Sequence, residues 1–170
     1  MGKKTADFQD YVSETIKALD ETRVLLVSQA SSGPPNAMAI GWGSIGTIWR
    51  KPMFVVLVRP SRYTYKLIEE TGEFTIHVLP AELKEVVEYC GTVSGRDHDK
   101  FKEKRLTAIP SLKVAPPLIK EGILHFECRV AYKNDLIPSA LAEPIPSLFY
   151  PKGDFHRLYF GEILACQREL

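Results

Sequence analysis

The sequence predicts a mainly β fold, a β-barrel with peripheral helices. Six segments have the short, apolar or alternating character of strands, whereas only three segments have helical periodicity, and all three are short. The segments between strands rarely have room for the crossover helix that parallel pairing requires, so most neighbouring strands should be antiparallel. We expect residues 1–170 to form a single domain, because this length is close to the usual size of one.

The N-terminal half should begin with a helix and continue as strands. A helix over 8–19 would carry on one face the apolar residues Phe8, Tyr11, Val12, Ile16 and Leu19. Strands are then predicted over 23–29, 36–42 and 52–58. The last two are almost continuously apolar, which predicts burial on both faces, as in a closed barrel or a subunit interface.

The C-terminal half alternates short helices with strands. A helix over 64–71 should have Thr64 as its N-cap. Leu83, Val86, Val87 and Cys90 recur at helical spacing, which predicts an amphipathic helix over 81–90. The polar stretch that follows should be a loop with a helical turn starting at Asp99. The remaining strands are predicted over 73–79, 124–133 and 155–167.

The proline-rich segment (134–154) separates the last two strands. It contains four prolines and has little periodicity. A loop of this length inside a compact domain is usually functional or covers another part of the molecule.

Composition excludes several classes of protein. The net charge of +1 argues against a nucleic-acid binder, whose basic face normally raises the total. The N-terminal stretch lacks the apolar run of a signal peptide, and no stretch approaches the length of a membrane span, so a cytoplasmic protein is expected. The three cysteines and four histidines are scattered without metal-ligand spacing, which predicts buried thiols and no metal site.

The segment from Arg59 to Thr64 is the first candidate ligand site. A strand ends there, two arginines and two hydroxyl groups follow, and a helix begins. Free backbone N–H groups and the positive end of a helix dipole favour anions, and a guanidinium group matches the geometry of phosphate oxygens. The alternative is that Thr64 only caps the helix while both arginines are solvated.

Two further segments are candidates. The stretch 90–101 combines glycines, hydroxyl groups and the basic residues Arg96 and Lys100, although charged runs are more often solvated. The stretch 32–47 could present polar edges and the aromatic plane of Trp42 to a flat ligand, or could be a core strand with polar ends. No nucleophile elbow, Rossmann fingerprint or P-loop occurs.

In order, these segments resemble a known family. The run NAMAIGWGSIGTIWRKPMFVVLVRPSRYTYKLIEETGEFTIHVLP, followed by EYCGTVSGRDHDKFKE, is similar to the flavin reductase-like family with the FMN-binding split barrel, and most similar to its flavoredoxin-type members. The resemblance implies a six-stranded antiparallel Greek-key split barrel. It also implies a homodimer with FMN near the subunit interface.

The resemblance also implies which residues contact the cofactor. The phosphate would be held by Arg59, Ser61, Arg62, Tyr63 and Thr64. The isoalloxazine would lie along Asn36, Ala37, Met38, Ala39 and Trp42. The next loop would reach FMN through Ser94, Gly95, Arg96 and Lys100. His156, five residues before Gly161, matches a histidine that lies near the nicotinamide site in relatives.

Three functional hypotheses follow. The first is an NAD(P)H-dependent FMN oxidoreductase, in which FMN carries the chemistry and the protein needs no acid–base residues of its own. The second is an electron carrier that holds FMN and exchanges electrons with a redox partner protein. The third is a split-barrel binding module that has lost the flavin.

Overall fold

The computed structural model describes residues 4, 5 and 7–168. Residues 1–3, 6, 169 and 170 lie outside the description, including part of the stretch used above to argue against a signal peptide. The strands are β1 (Lys4–Thr5), β2 (Val24–Ser28), β3 (Asn36–Ile40), β4 (Gly43–Ile48), β5 (Lys51–Val58), β6 (Glu73–Val78), β7 (Ala108–Ile109), β8 (Leu118–Ile119), β9 (Leu124–Asp135) and β10 (Arg157–Arg168). The α-helices are α1 (Val12–Asp20), α2 (Tyr63–Thr71), α3 (Lys84–Thr92), α4 (Lys100–Glu103) and α5 (Ile145–Phe149).

One antiparallel sheet dominates the fold. Its strand order is β3-β2-β6-β9-β10-β5-β4, and β1 pairs with β10. The strands β7 and β8 form a separate antiparallel pair. The order of the strands in the sheet differs from their order along the chain. For example, β6 follows β5 in sequence but lies between β2 and β9 in the sheet. The prediction of a mainly β, antiparallel fold is confirmed.

All six predicted strands are present, but the described residues form ten strands, because β4 and the two-residue strands β1, β7 and β8 were not predicted. The predicted strand over 36–42 ends at Ile40, and a new strand starts at Gly43 after a short bend. β4 pairs with β5 through a tight turn at Trp49 and Arg50, both of which have positive φ. Two glycines and two hydroxyl residues in β4 mask the apolar signal that marks the other strands.

The sheet is covered on both sides where β2 and β3 lie. On β2, Val24 and Leu26 point into the main hydrophobic core, whereas Leu25 and Val27 join a second apolar cluster with Val87 of α3. This confirms the predicted two-sided burial of β3, whose Ala37 and Ile40 fall in different clusters. Side-chain burial of this kind contributes about 1.5–3 kcal/mol for each large apolar residue.

The N-terminal helix differs from its prediction in phase. Residues Phe8–Tyr11 form a 3-10 turn before α1 begins, and its tighter winding shifts the buried face. Thr15, Ala18 and Leu19 are therefore buried, while Ile16 is 53% exposed. The expectation that Ile16 faces the core was wrong.

Other predictions about local structure fared better. The predicted helix over 81–90 is a 3-10 turn followed by α3, and Asp99 caps the short helix α4 by accepting from the Lys102 N–H at 3.1 Å. The proline-rich segment contains α5 and a 3-10 turn, so it is not structureless. No helix among the described residues is long and apolar enough to span a membrane.

The cysteines are buried thiols, as predicted. Within residues 4, 5 and 7–168, no three His, Cys, Asp or Glu side chains are arranged to hold a metal ion.

Candidate functional site

A cavity of about 500 Å³ opens between β3, the start of α2 and the loop after α3. It is lined by every predicted cofactor residue except Ala37, and by His156. We name three walls. The strand wall is Asn36, Met38, Ala39 and Ile40; the basic wall is Arg62, Tyr63, Thr64, Ser94, Gly95 and Arg96; the aromatic wall is Trp42 and His156, with Phe149 and Tyr150 packed behind them.

The helix α2 begins one residue earlier than the sequence predicts. Its N-cap is Arg62, in extended backbone conformation, and no side chain caps the helix. Thr64 is a buried residue of the first turn, where its Oγ1 accepts a hydrogen bond from Asn36 Nδ2 at 3.0 Å. The prediction of Thr64 as N-cap was wrong, because this hydroxyl is committed to β3. The contact joins the basic wall to the strand wall.

Positive charge concentrates at the start of α2. The Arg62 backbone N–H donates to the Arg59 carbonyl at 3.0 Å, but its guanidinium group makes no hydrogen bond or ion pair with any described residue. Arg96 donates from Nη1 to the Ser61 carbonyl at 3.1 Å, and its guanidinium lies 5.5 Å from the centre of the Tyr63 ring. The first N–H groups of an α-helix have no intrahelical acceptor. Two guanidinium groups and a helix N-terminus therefore face the cavity, an arrangement that suits an anion.

The loop after α3 lies directly on the strand wall. A Cβ added at Gly95 would overlap Asn36 Oδ1, and one at Gly91 would lie 3.1 Å from Ala39 Cβ. Lys100 fixes the loop from behind, donating from Nζ to the carbonyls of Ala37 at 2.8 Å and Cys90 at 2.7 Å. Only 5% of Lys100 is exposed, and this burial lowers its pKa. Ala37 thus serves the site through its backbone, since its side chain lies in the core.

Arg59 and Ser61 are occupied by the proline-rich segment. Arg59 donates to the carbonyls of Asp154 at 3.0 Å and Phe149 at 2.9 Å. The carboxylate of Asp154 accepts from the Ser61 hydroxyl at 2.5 Å and from its backbone N–H at 3.3 Å. Both residues therefore hold this segment against the end of β5.

The aromatic wall brings together residues that are far apart in sequence. The Trp42 ring packs edge-on against Phe149 at 5.2 Å and lies 5.3 Å from the His156 ring. Trp42 is 43% exposed, which sets it at the cavity mouth. His156 is 9% exposed, and its burial, reinforced by the positive charge of Arg59, lowers its pKa to about 4. At neutral pH this histidine is uncharged.

Six further lining residues received no individual role from the sequence, although all but Leu57 lie within the candidate stretches 32–47 and 90–101. The cavity is also lined by Ile40, Gly41, Leu57, Cys90, Gly91 and Val93. Gly91 had a usable signal, since a glycine inside an amphipathic helix indicates a close approach of another chain segment. Phe149 and Tyr150 had none, because they lie in a segment without periodicity. Gly161 serves packing: a Cβ there would lie 2.5 Å from Phe74 Cζ and 2.9 Å from Cys128 Cβ.

Several known proteins are similar to this chain over most of its length. An uncharacterized protein of Archaeoglobus fulgidus is 33% identical over 154 residues, which cover 89% of this chain and 77% of that protein. The flavoredoxin structure of Methanosarcina acetivorans matches with a TM-score of 0.67 and 30% identity over 86% of this chain and 67% of that one. The flavoredoxin of Desulfovibrio vulgaris (Miyazaki F) matches with a TM-score of 0.69 and 25% identity over 86% and 68%.

More distant solved structures, below 25% identity, include flavin reductase-like proteins with the split-barrel fold, which confirms the fold expected from the resemblance, although the main sheet has eight strands and not the six expected. Residues 20–169 match the flavin reductase like domain. That match covers far more than half of the sequence, and this chain therefore belongs to the flavin reductase-like family.

Proposed function

We propose that this chain is an NAD(P)H-dependent FMN oxidoreductase, a flavoprotein that binds FMN in the cavity between its three walls. The observation that carries this proposal is the pair of guanidinium groups, Arg62 and Arg96, at the start of α2 beside an apolar strand wall. A phosphate dianion and a flat ring system require this combination.

The residues present fit FMN. The anion subsite has an arginine without a carboxylate partner among the described residues, together with a helix N-terminus. The slot beside it is kept narrow by Gly91 and Gly95, whose missing side chains let the loop lie on β3. Asn36 offers a polar edge, and Met38 and Ala39 offer apolar surface. Together these groups match a phosphate, a flat ring and a hydrogen-bonding ring edge.

Each wall has a task in this proposal. Arg62, Tyr63, Thr64 and Arg96 hold the phosphate, and Arg59 and Ser61 support them by anchoring the proline-rich segment. Asn36, Ala37, Met38, Ala39 and Trp42 border the ring system, with Ser94 and Gly95 closing its edge. Lys100 is a buried cation behind the strand wall, and a positive charge there favours negative charge in the cavity.

The reaction itself belongs to the cofactor. FMN, when bound, supplies hydride and electron transfer, so the protein needs to position the reactants and exclude water. Trp42 and His156 shape the open side of the cavity, where a nicotinamide ring would approach. Because His156 is uncharged at neutral pH, its ring adds no positive charge to this side of the cavity.

An electron carrier is the second candidate. It is favoured by the two flavoredoxins among the similar structures. In that case a redox partner protein, rather than NAD(P)H, would deliver electrons past Trp42 at the cavity mouth.

One experiment separates these functions. The absorption spectrum of the purified protein is recorded before and after incubation with FMN and desalting, and NADH or NADPH is then added anaerobically. Rapid bleaching of the flavin bands by either nicotinamide supports the oxidoreductase. Bands that persist favour the electron carrier. A protein that retains no flavin contradicts both functions and supports the third hypothesis, a binding module for another ligand.

We also propose that the protein is a homodimer with FMN near the subunit interface. Residues 1–170 are proposed to form one domain. Trp49, Tyr132 and Phe160 form an aromatic cluster on the outer face of the sheet, with the Tyr132 and Phe160 rings 5.3 Å apart. Trp49 is 60% exposed, and exposed aromatic patches are typical of interaction surfaces. Sedimentation velocity of the flavin-loaded protein gives the oligomeric state, and a monomer would contradict the proposed homodimer.

A further inference from the structure

The contact between Tyr150 and His156 is unexplained by the family resemblance. Tyr150 ends α5 in the proline-rich segment, and its hydroxyl lies 2.7 Å from His156 Nδ1. Both residues are buried, and the two rings meet edge-on at 5.5 Å. No sequence motif pointed to this pair, yet one member lines the cavity.

The direction of this hydrogen bond follows from the available partners. If His156 Nδ1 were the donor, the phenol proton of Tyr150 would have no acceptor among the described residues, and we therefore assign the Tyr150 hydroxyl as the donor. Burial raises the pKa of Tyr150, which keeps the phenol protonated. An imidazole nitrogen that accepts a hydrogen bond carries no proton, and in an uncharged ring the other nitrogen then carries it.

The other ring nitrogen is open to the cavity. His156 Nε2 has no hydrogen-bond partner within the part of the chain that the structure describes, and it is not among the buried atoms that lack one. Since His156 lines the cavity, its Nε2 is available to a molecule bound there.

Tyr150 is itself held in place by Arg59 and Phe155. The Arg59 guanidinium lies 4.9 Å from the centre of its ring, and Phe155 stacks on it at 4.7 Å with an interplanar angle of 23°. Arg59 also donates to the carbonyl groups of Phe149, one residue before Tyr150, and Asp154, four residues after it. The hydroxyl is therefore oriented before any ligand arrives.

We propose that Tyr150 is a positioning residue that fixes His156 in the Nε2–H tautomer, so that His156 donates a hydrogen bond to an oxygen atom of the molecule that exchanges electrons in the cavity. A carboxamide, carbonyl or nitro oxygen is the acceptor chemistry that this donor recognises. The inference rests on the proposed function for the identity of that site, but the tautomer itself is a property of the chain alone.

Nitrogen-15 NMR of the imidazole rings tests the tautomer in the full chain without flavin. The His156 signals are assigned by their loss in His156→Gln. We expect a protonated Nε2 and an unprotonated, hydrogen-bonded Nδ1 in the wild type, and a mixture of tautomers in Tyr150→Phe. Tyr11→Phe, which removes a phenol hydroxyl from the N-terminal 3-10 turn and not from the cavity lining, is the matched control and should leave His156 unchanged. A protonated Nδ1 in the wild type, or unaltered His156 signals in Tyr150→Phe, overturns the proposal.

The functional consequence is measured on the flavin-loaded protein. Tyr150→Phe should slow flavin reduction by the nicotinamide that bleaches the wild type, by roughly two- to tenfold, which is typical for loss of one oriented hydrogen bond. Its affinity for FMN should be unchanged. Equal rates in Tyr150→Phe and wild type overturn the role in electron exchange.

The rate should also gain a pH dependence in this variant. The groups that face His156 are Tyr150, Arg59, Arg62 and Asp154. Without the phenol, which favours the uncharged ring, the pKa of His156 should rise and the rate should change at higher pH than in wild type. If neither nicotinamide reduces the wild-type flavin, the proposed function fails, and the imidazole spectra alone decide the tautomer.

Discussion

The basic wall and the aromatic wall face the same cavity but are built in different ways. The basic wall comes from two short, contiguous stretches of sequence, at the start of α2 and in the loop after α3. In the aromatic wall, Trp42 meets Phe149 and His156 across more than a hundred residues. A wall made of local motifs can be found in a sequence, whereas a wall made by distant segments becomes visible only in the folded chain.

The largest expected effect concerns the basic wall. Arg62→Ala removes a charge-assisted contact to the phosphate and should weaken FMN binding by about 1.5–3 kcal/mol. Fluorescence titration of the flavin-free protein with FMN gives the dissociation constant. Lys66→Ala, on the exposed side of the same helix, is the control for a simple loss of positive charge. Equal affinities in Arg62→Ala and Lys66→Ala would place the phosphate elsewhere.

Burial of His156 in the aromatic wall should make the stability of the protein depend on pH. The folded state lowers the pKa of His156 from 6.5 to about 4, so the unfolded chain binds the proton more tightly. The contribution of uncharged His156 to the free energy of unfolding should therefore be complete above pH 6.5. It should fall by roughly 1–3 kcal/mol as the pH drops towards 4. Urea unfolding of wild type and His156→Gln across this range gives the contribution of His156 by difference. Parallel curves would contradict it.

The smallest effect tests how tightly the basic wall is joined to the strand wall. Gly95→Ala places a Cβ against Asn36 Oδ1, whose amide is held by Thr64, and should cost about 1–2 kcal/mol of unfolding free energy. Gly46→Ala is the matched control, since a Cβ there meets nothing within 4 Å. Chemical denaturation measures both. If Gly95→Ala is as stable as Gly46→Ala, the loop does not rest on β3.

The difference between the two walls also explains what the sequence could predict. Apolar or alternating runs correctly predicted six strands of the main sheet. The stretch Arg59–Thr64 indicated a ligand site because positive charge and the start of a helix coincide there. β4 was missed because its glycines and hydroxyl residues weaken the apolar pattern. Ile16 was misplaced because a 3-10 turn changed the phase of the helix.

The wrong prediction for Thr64 has the same origin, and so does the unpredicted partner of Ser61. Thr64 has the composition of an N-cap, but only the approach of Asn36 from β3 shows that its hydroxyl is already used. The engagement of Ser61 by Asp154 depends on how the proline-rich segment returns over 93 residues of chain, which no local signal reports.

We expect the Asp154 contact to couple ligand binding at the two ends of the cavity. Its carboxylate takes both donors of Ser61, so an incoming anion that uses Ser61 has to displace it. Asp154 also lies two residues before His156, and its carbonyl shares Arg59 with that of Phe149. By reciprocity, an anion that releases Asp154 changes the affinity at the aromatic end by the same factor by which a ligand there changes the affinity for the anion.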